Sequence, residues 1–262
     1  MTKEIQIQSL GFAVNASLGG DRQQIQPDTI NLCKSLIDQQ GYCLIQGLPD
    51  DFDVNEFFGN FGHFIAQYDG EYAYSVKSTP QLQNYSDSKS TNCLKPHTDG
   101  SDYNVPPHLL ALLCLQPATC GGGQTLLADG YQFIASLDSD TYAEIGTRIY
   151  QFKSKKGIHA YRDYHVESPI LDEIPGVNRS ILRFSHNLLL YGDYSVPIKG
   201  AVIEADEFTK NLCDRLMEFF DWHHTSILLN RHDLLIWDNW RMVHSRRKYQ
   251  DCDRHLLRYW LG

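Results

Sequence analysis

Residues 108–115 have the sequence HLLALLCL, a nearly continuous apolar run that predicts a buried β-strand. Two similar runs lie near the end of the chain, DLLIW at 233–237 and HLLRYWL at 255–261. Shorter strands are predicted at 42–45, 124–128 and 180–184. Short strands spread along the chain in this way indicate a mainly β core.

Helices are predicted where a capping residue precedes an apolar stripe. In chain order they cover Ile30–Gln39 behind Pro27, Asp53–Phe61, Asp129 to about Leu137, and a late insertion at about 205–222 that begins at Asp206. Residues 64–107 are rich in Tyr, Ser, Asp and Asn, so we expect a lid-like region that is mostly loop with a strand or two. These patterns predict a single domain over residues 1–262, mainly β with flanking helices (α+β). Periodicity alone does not separate a double-stranded β-helix from other sandwiches.

The composition of the chain argues against several classes of protein. Its net charge is −9 and no basic stripe is present, which argues against nucleic acid as a partner. No run of 18 apolar residues occurs, and residues 1–8 lack the apolar segment of a secretory signal, so no membrane partner is expected. The seven cysteines are odd in number and form no CxxC pair, which fits free thiols in a reducing cytoplasm. We therefore expect a cytoplasmic protein that acts on a small molecule.

The sharpest local motif is Lys95-Pro96-His97-Thr98-Asp99-Gly100. Residues i and i+2 of a strand share a face, so His97 and Asp99 are expected to point at the same site. One imidazole and one carboxylate are two of the three ligands of a facial iron triad. A lone HxD is also common by chance.

A second histidine far along the chain would complete this triad. His244 follows the apolar strand at 233–237 and an Asp238-Asn239 turn. Two histidines and one carboxylate occupy one face of an octahedron and leave the opposite positions open for substrate and O₂.

Two arginines near the C-terminus predict an anion site. Arg258 lies inside the apolar run at 255–261, and a buried guanidinium needs a partner. A dicarboxylate is a natural partner because the guanidinium fork matches a carboxylate in bidentate fashion. Positions 254 and 258 share a face of a strand, so Arg254 is expected to reach the same pocket.

These motifs together resemble those of the taurine dioxygenase and clavaminate synthase-like group of 2-oxoglutarate oxygenases. The group's pattern of HxD, Gly-Gly-x-Thr, distal His and Arg corresponds here to His97-Thr98-Asp99, Gly122-Gly123-Gln124-Thr125, His244 and Arg258. The resemblance implies a distorted double-stranded β-helix (jelly roll). It also implies an Fe(II) site held by His97, Asp99 and His244.

The resemblance further implies that 2-oxoglutarate and O₂ are cosubstrates. Arg258 would hold the C5 carboxylate of 2-oxoglutarate, and Thr125 would donate a hydrogen bond to the same carboxylate. Arg254 would lie near the C1 carboxylate or the substrate. The implied reaction is hydroxylation, or another oxidation, of an unactivated C–H bond with release of succinate and CO₂.

The substrate predicted from these features is a small polar metabolite, an amino acid or an amino-acid-derived intermediate of natural-product biosynthesis. A taurine-like sulfonate is the alternative. Asn84 and Ser86 precede the metal motif and His186 follows a predicted strand, so these three are candidates to contact substrate.

Two other classes of protein remain open at the level of sequence. A zinc hydrolase would use the same three ligands, but it has no need of a pocket for a dicarboxylate. A binding protein without catalytic activity would have no reason to retain all three ligands.

Overall fold

The computed structural model describes residues 27–84, 86–154, 163–173, 175–177, 179–194 and 203–262, together with the backbone of three strands within 4–25. The strands in this part of the chain are β1 (Glu4–Ser9), β2 (Phe12–Gly19), β3 (Gln24–Ile25), β4 (Tyr42–Gln46), β5 (Ala73–Lys77), β6 (Leu94–His97), β7 (Leu109–Gln116), β8 (Thr125–Asp129), β9 (Tyr150–Ser154), β10 (Tyr164–Ser168), β11 (Leu171–Asp172), β12 (Ile181–Leu182), β13 (Thr225–Ile227), β14 (Leu234–Asp238), β15 (Met242–Arg246) and β16 (His255–Leu261). The α-helices are α1 (Pro27–Gln40), α2 (Val54–Phe58), α3 (Gly130–Ala135), α4 (Ser139–Thr147), α5 (His186–Tyr191) and α6 (Glu207–His223). A 3₁₀ turn covers Pro80–Leu82.

Two antiparallel sheets form the body of the molecule. The larger has the strand order β3-β2-β1-β4-β14-β7-β16-β5, and the smaller has the order β13-β8-β15-β6. The three most apolar runs of the sequence become neighbours in the larger sheet, where β7 pairs with β14 on one side and β16 on the other. The chain is therefore mainly β with helices, as the sequence predicts.

The interior lies between the two sheets. Leu110, Trp237 and Trp260 project from the larger sheet and are fully buried. They belong to one apolar cluster with Leu127 of β8 and Met242 of β15 in the smaller sheet. Because side chains alternate across a strand, the other face of each sheet needs its own cover.

Helices supply that cover. On the outer face of the larger sheet, Cys33 and Ile37 of α1 and Phe58 of α2 pack against buried residues of β7 and β14. Outside the smaller sheet, α3, α5 and α6 bury an apolar cluster that includes Val243 of β15 and Leu216 of α6. The smaller sheet is thus held between the interior and three helices, and it carries most of the site described below.

Most of the predicted helices and strands are confirmed, and three of the helices begin directly after the predicted capping residue. The carboxylate of Asp53 caps α2, that of Asp129 caps α3 and that of Asp206 caps α6, each by accepting from backbone N–H groups one turn on. Helix α2 ends at Phe58, earlier than the predicted Phe61, and Gly59 is its C-cap.

The strand predicted at 180–184 is shorter than expected. Only Ile181–Leu182 pairs as β12, because the backbone of Phe184 bonds to Thr98 instead: the amide of Thr98 donates to the carbonyl of Phe184, and the Phe184 amide donates to Oγ1 of Thr98. This exchange joins the metal motif to the start of α5.

No helix among the described residues is long and apolar enough to cross a membrane. All seven cysteines are free thiols.

Candidate metal centre

The two histidines of the predicted triad are brought together by strand pairing. His97 is the last residue of β6, and it lies directly opposite His244 of β15 in the register of the smaller sheet. Their ring centroids are 4.1 Å apart. Nδ1 of His97 donates to the carbonyl oxygen of Lys95 at 2.8 Å, which leaves Nε2 as the nitrogen with a free lone pair.

Asp99 follows the end of β6 and lies in a turn, not in the strand as the spacing suggested. Asn239 holds this turn: its Oδ1 accepts from the amide of Asp99 at 2.8 Å, and its Nδ2 donates to the Asp99 carbonyl at 2.9 Å. Gly100 has φ +69, and a Cβ there would lie 2.6 Å from Pro107, so glycine is required. The turn directs the Asp99 side chain back toward His97.

The two oxygens of Asp99 have different partners. Oδ1 lies 3.3 Å from Nε2 of His97 and 3.7 Å from Nε2 of His244. Oδ2 accepts from Nη1 of Arg258 at 2.8 Å and from Nε1 of Trp260 at 3.1 Å. The second oxygen is thereby held by two donors, and the first faces the two imidazoles.

The electrostatics of the centre favour a charged Asp99 carboxylate and a neutral His244 imidazole. Burial alone would raise the pKa of Asp99, but Arg258 and the two histidines outweigh it and hold the pKa well below its usual value. Burial, together with the neighbouring His97, lowers the pKa of His244 well below its usual value. A neutral imidazole and an ionised carboxylate are the forms that bind a metal ion.

The donor set fits a metal ion. One ligand atom from each of His97, Asp99 and His244 lies within 4.8 Å of the other two. Two imidazole nitrogens and one carboxylate oxygen on a single side are the donors of the facial triad that holds Fe(II).

Two cavities meet at these three residues. The first, which we call the open cleft, encloses about 760 Å³ of space, part of which is open to solvent. The charged residues that line it are Asp87, Lys95, Asp99 and Arg258. Polar lining comes also from Tyr68, Ser88, Ser154, Ser185, Asn187 and Tyr194.

The second cavity, which we call the guanidinium pocket, has about 500 Å³ of space and an apolar wall. Three arginines line it, Arg246, Arg254 and Arg258, together with Thr125. His97 and Arg258 border both cavities, so the guanidinium pocket and the open cleft share the metal centre.

Arg254 and Arg258 reach the same pocket, as expected from their spacing, but they have different surroundings. Arg258 is bonded to Asp99 and, through Nε, to Oε1 of Gln67 at 2.8 Å. Arg254 is buried, and Nη2 donates to the carbonyl of Gly123 at 3.2 Å, while its buried Nη1 has no partner. A Cβ on Gly123 would lie 3.0 Å from Nε of Arg254, so this glycine lets the guanidinium approach the strand that bears Thr125.

The three candidate substrate contacts lie beside the open cleft rather than in its lining. Asn84 is exposed, Ser86 is buried with its Oγ near Ser88, and His186 is buried in α5. Their sequence neighbours line the cleft instead: Asp87, Ser88, Ser185 and Asn187.

Sequence reasoning also missed three residues of the site. Asn239 and Trp260 bond to Asp99, and Arg246 lines the guanidinium pocket. Asn239 had a usable signal, its place in the Asp-Asn turn before His244. Trp260 lies in an apolar run, and nothing in the sequence distinguishes it from the other buried residues of that run.

Comparisons with known proteins agree with this geometry. The model of a family described as "Taurine catabolism dioxygenase TauD, TfdA family" matches residues 6–260. No curated protein matches the chain by sequence.

Among solved structures, an asparagine oxygenase in complex with Fe(II), 2S,3S-3-hydroxyasparagine and succinate is 17% identical, with a TM-score of 0.68 over 90% of this chain and 80% of the other. The non-heme iron oxygenase OrfP, in complex with Fe and α-ketoglutaric acid, is 17% identical, with a TM-score of 0.63 over 91% and 81%. PvcB, an Fe, α-ketoglutarate-dependent oxygenase from an isonitrile synthetic pathway, is 18% identical, with a TM-score of 0.60 over 89% and 80%. At these identities the likeness establishes a common fold.

Proposed function

Because this chain belongs to the taurine catabolism dioxygenase family (TauD, TfdA), we propose that it is an Fe(II)- and 2-oxoglutarate-dependent dioxygenase that hydroxylates, or otherwise oxidises, an unactivated C–H bond of a small polar metabolite. The observation that carries the proposal is the junction of the triad with a pocket lined by arginines. A zinc hydrolase would account for the triad and leave those arginines without a role.

Fe(II) would be held by His97, Asp99 and His244. Bound Fe(II) supplies the activation of O₂ at the expense of 2-oxoglutarate, which leaves as succinate and CO₂. The protein's own contribution is to fix the ligands: strand register aligns the histidines, and Arg258 with Trp260 fixes the rotation of the Asp99 carboxylate.

We assign the C5 carboxylate of 2-oxoglutarate to Arg254 and Thr125. Arg254 presents a buried N–H without a partner, and an unpaired buried guanidinium is costly unless an anion joins it. This revises the expectation that Arg258 takes that role, since Arg258 is already bonded to Asp99 and Gln67. Arg258 instead borders both cavities at the metal centre.

The substrate would bind in the open cleft, which carries charges of both signs. An amino acid, or an intermediate derived from one, presents an ammonium and a carboxylate, which match the negative charge of Asp87 and the positive charges of Lys95 and Arg258. The hydroxyasparagine in the complex of the similar asparagine oxygenase, and the (3S)-hydroxy-L-Arg in a further complex of OrfP, are of this class. A place in natural-product biosynthesis is consistent with the pathway named for PvcB.

The two sheets would form the distorted double-stranded β-helix, with residues 64–107 and the helical insertion at 205–222 as additions to a single domain. The position of the candidate site, with His97 at the end of β6 and His244 in the middle of β15, supports this arrangement. All seven cysteines are free thiols, which is consistent with a protein of a reducing compartment such as the cytoplasm.

The test is a succinate-release screen. Protein loaded with Fe(II) and 2-oxoglutarate under anaerobic conditions is exposed to O₂ with amino acids, carrier-bound aminoacyl groups or alkylsulfonates. We expect one class to stimulate succinate release and to gain an oxygen atom by mass spectrometry, and His244→Ala to abolish both. Stoichiometric hydrolysis of a substrate without succinate would contradict the proposal.

A further inference from the structure

Arg246 has surroundings that the reaction described above does not explain. It is the last residue of β15, two positions after His244, and only 4% of it is exposed. Its guanidinium donates to four backbone carbonyls of a single loop, which are those of Asp87 (2.8 Å), Ser88 (3.4 Å), Ser90 (2.9 Å) and Asn92 (2.6 Å). We call this segment, residues 87–92, the carbonyl loop.

The charge of Arg246 is not neutralised by these bonds. Within the described part of the chain, no carboxylate lies within the 4.0 Å of an ion pair with this guanidinium, and its buried Nε has no partner. Arg254 adds a like charge nearby, and Asp87 is a carboxylate that acts on Arg246 from beyond the distance of an ion pair. Carbonyl dipoles and a carboxylate at that distance are weak compensation for a buried cation, so an anion bound beside Arg246 would stabilise it.

Arg254 is a second cation that the same anion would stabilise. Both guanidinium carbons lie 5.1 Å from the centroid of the Tyr249 ring, which therefore contacts the two cations together. Arg246 is also the cross-strand partner of Thr125. Arg246, Arg254 and Thr125 line the same pocket, where an anion bound by the last two would also reduce the electrostatic cost of burying the first.

The carbonyl loop forms a wall of the open cleft. Asp87 and Ser88 line that cleft, and Ser88 lines the guanidinium pocket as well. Tyr249 adds a bond from its hydroxyl to the carbonyl of Ser90 at 3.1 Å. The backbone of the loop is thus fastened from inside the guanidinium pocket while two of its side chains face the place where substrate would bind.

We propose that Arg246 is a positioning residue that couples the two cavities: an anion in the guanidinium pocket supplies the counter-charge that Arg246 lacks and so stabilises the carbonyl loop in the arrangement that presents Asp87 and Ser88 to substrate. The identity of the anion as 2-oxoglutarate rests on the proposed function. The coupling itself rests on the contacts of Arg246.

Hydrogen exchange tests the coupling without turnover. The protein with Fe(II), kept anaerobic, is compared with and without 2-oxoglutarate, whose binding is followed separately by calorimetry. We expect 2-oxoglutarate to slow exchange of the amides in 87–92 by about tenfold. The bound anion would stabilise the Arg246 guanidinium, so local opening of the loop, which breaks the bonds to that guanidinium, would cost more free energy. If 2-oxoglutarate binds but leaves exchange in 87–92 unchanged, the coupling is wrong and the proposed function stands. If it does not bind, both fail.

Variants separate positioning from general stability. In Arg246→Met, and less severely in Arg246→Lys, the carbonyl loop should exchange faster, 2-oxoglutarate should no longer protect it, and the KM for substrate should rise more than the KM for 2-oxoglutarate. The control is Arg241→Met. Arg241 also donates to two carbonyls, those of Asp38 and Gln39, but it is paired with the carboxylate of Asp129 and lies outside both cavities. This control should keep the wild-type protection of 87–92. Retained protection in Arg246→Lys and Arg246→Met would overturn the proposal.

Discussion

Nη1 of Arg258 lies 2.8 Å from Oδ2 of Asp99, so a guanidinium is bonded to the carboxylate whose other oxygen faces the two histidines. The bond fixes the side chain of a metal ligand and brings a cation to the border of the open cleft. A ligand held in this way needs little reorganisation when the metal ion binds, which is the usual benefit of partners behind a ligand.

The indole of Trp260 is the second donor to that carboxylate, and its loss should weaken metal binding. Trp260→Phe keeps an aromatic ring against Tyr68 and Tyr103 but removes the N–H that donates to Oδ2. We expect the affinity for Fe(II) to fall about tenfold, as for other partners of metal ligands. Titration with Fe(II) under anaerobic conditions measures it. Trp240→Phe, which loses a comparable N–H bond to the Pro106 carbonyl, is the control; equal losses in both variants would contradict the prediction.

The separate surroundings of the two arginines predict different kinetic effects. Arg254→Met should raise the KM for 2-oxoglutarate by about 30-fold or more, because a charge-assisted pair is removed that is worth about 2–5 kcal/mol. Thr125→Val should have the same effect in milder form. Arg258→Met should act mainly on Fe(II) affinity and on the KM for substrate. A larger increase in the 2-oxoglutarate KM for Arg258→Met than for Arg254→Met would restore the assignment that the family resemblance implies.

A buried carboxylate beyond the metal motif predicts a pH dependence of stability. Burial raises the pKa of Asp102, although Ser154 and Tyr68 donate hydrogen bonds to it. The folded state therefore binds this proton more tightly than the unfolded chain does. Its contribution to the free energy of unfolding is present at low pH and is lost as the pH rises from about 3.9, the ordinary value, through the raised pKa.

Asp102→Asn removes that titration. The stability of the variant relative to wild type should increase as the pH rises across this window and become constant above it. Denaturant unfolding at a series of pH values measures the difference. A difference that does not change with pH would show that Asp102 does not titrate in this range.

The parts of the fold that the sequence predicts are those fixed by local pattern. β7, β14 and β16 are mostly apolar because each lies between two other strands of the larger sheet, and that composition is visible without a structure. The pair β9–β10 is different: exposed residues alternate along it, and the sequence does not distinguish it from a loop. The region 64–107 is mostly loop with β5 and β6, as predicted.

The candidate site divides in a similar way. Titratable residues at characteristic spacing predict the triad, and the structure brings the three together. The register between β6 and β15 and the turn held by Asn239 are long-range, so the sequence gives the ligands but not their geometry. Arg246 could not be found, because its partners are backbone carbonyls, which every residue carries.

The charges of the open cleft lead to the prediction about substrate. Asp87 lies on one wall and accepts from Nδ2 of Asn187 at 3.2 Å, while Lys95 and Arg258 contribute positive charge. An amino acid needs both signs. A taurine-like sulfonate also carries an ammonium group, whereas a simple alkylsulfonate carries only the negative charge, so the dependence on Asp87 distinguishes substrates with an amine from those without one.

Asp87→Asn keeps the size of the side chain and the bond to Asn187 while removing the negative charge. We expect the KM for an amino-acid substrate to rise about tenfold or more, since a charge-assisted contact to the ammonium group is lost. Succinate release should respond to amino acids or their carrier-bound forms and not to alkylsulfonates. Ser88→Ala, at the neighbouring position of the same wall, removes a polar group without changing the charge and should have a smaller effect. An unchanged amino-acid KM in Asp87→Asn would show that Asp87 does not bind an ammonium group. Improved turnover of an alkylsulfonate that the wild type also accepts would indicate a cleft built for an anion without an amine, and would contradict the amino-acid proposal.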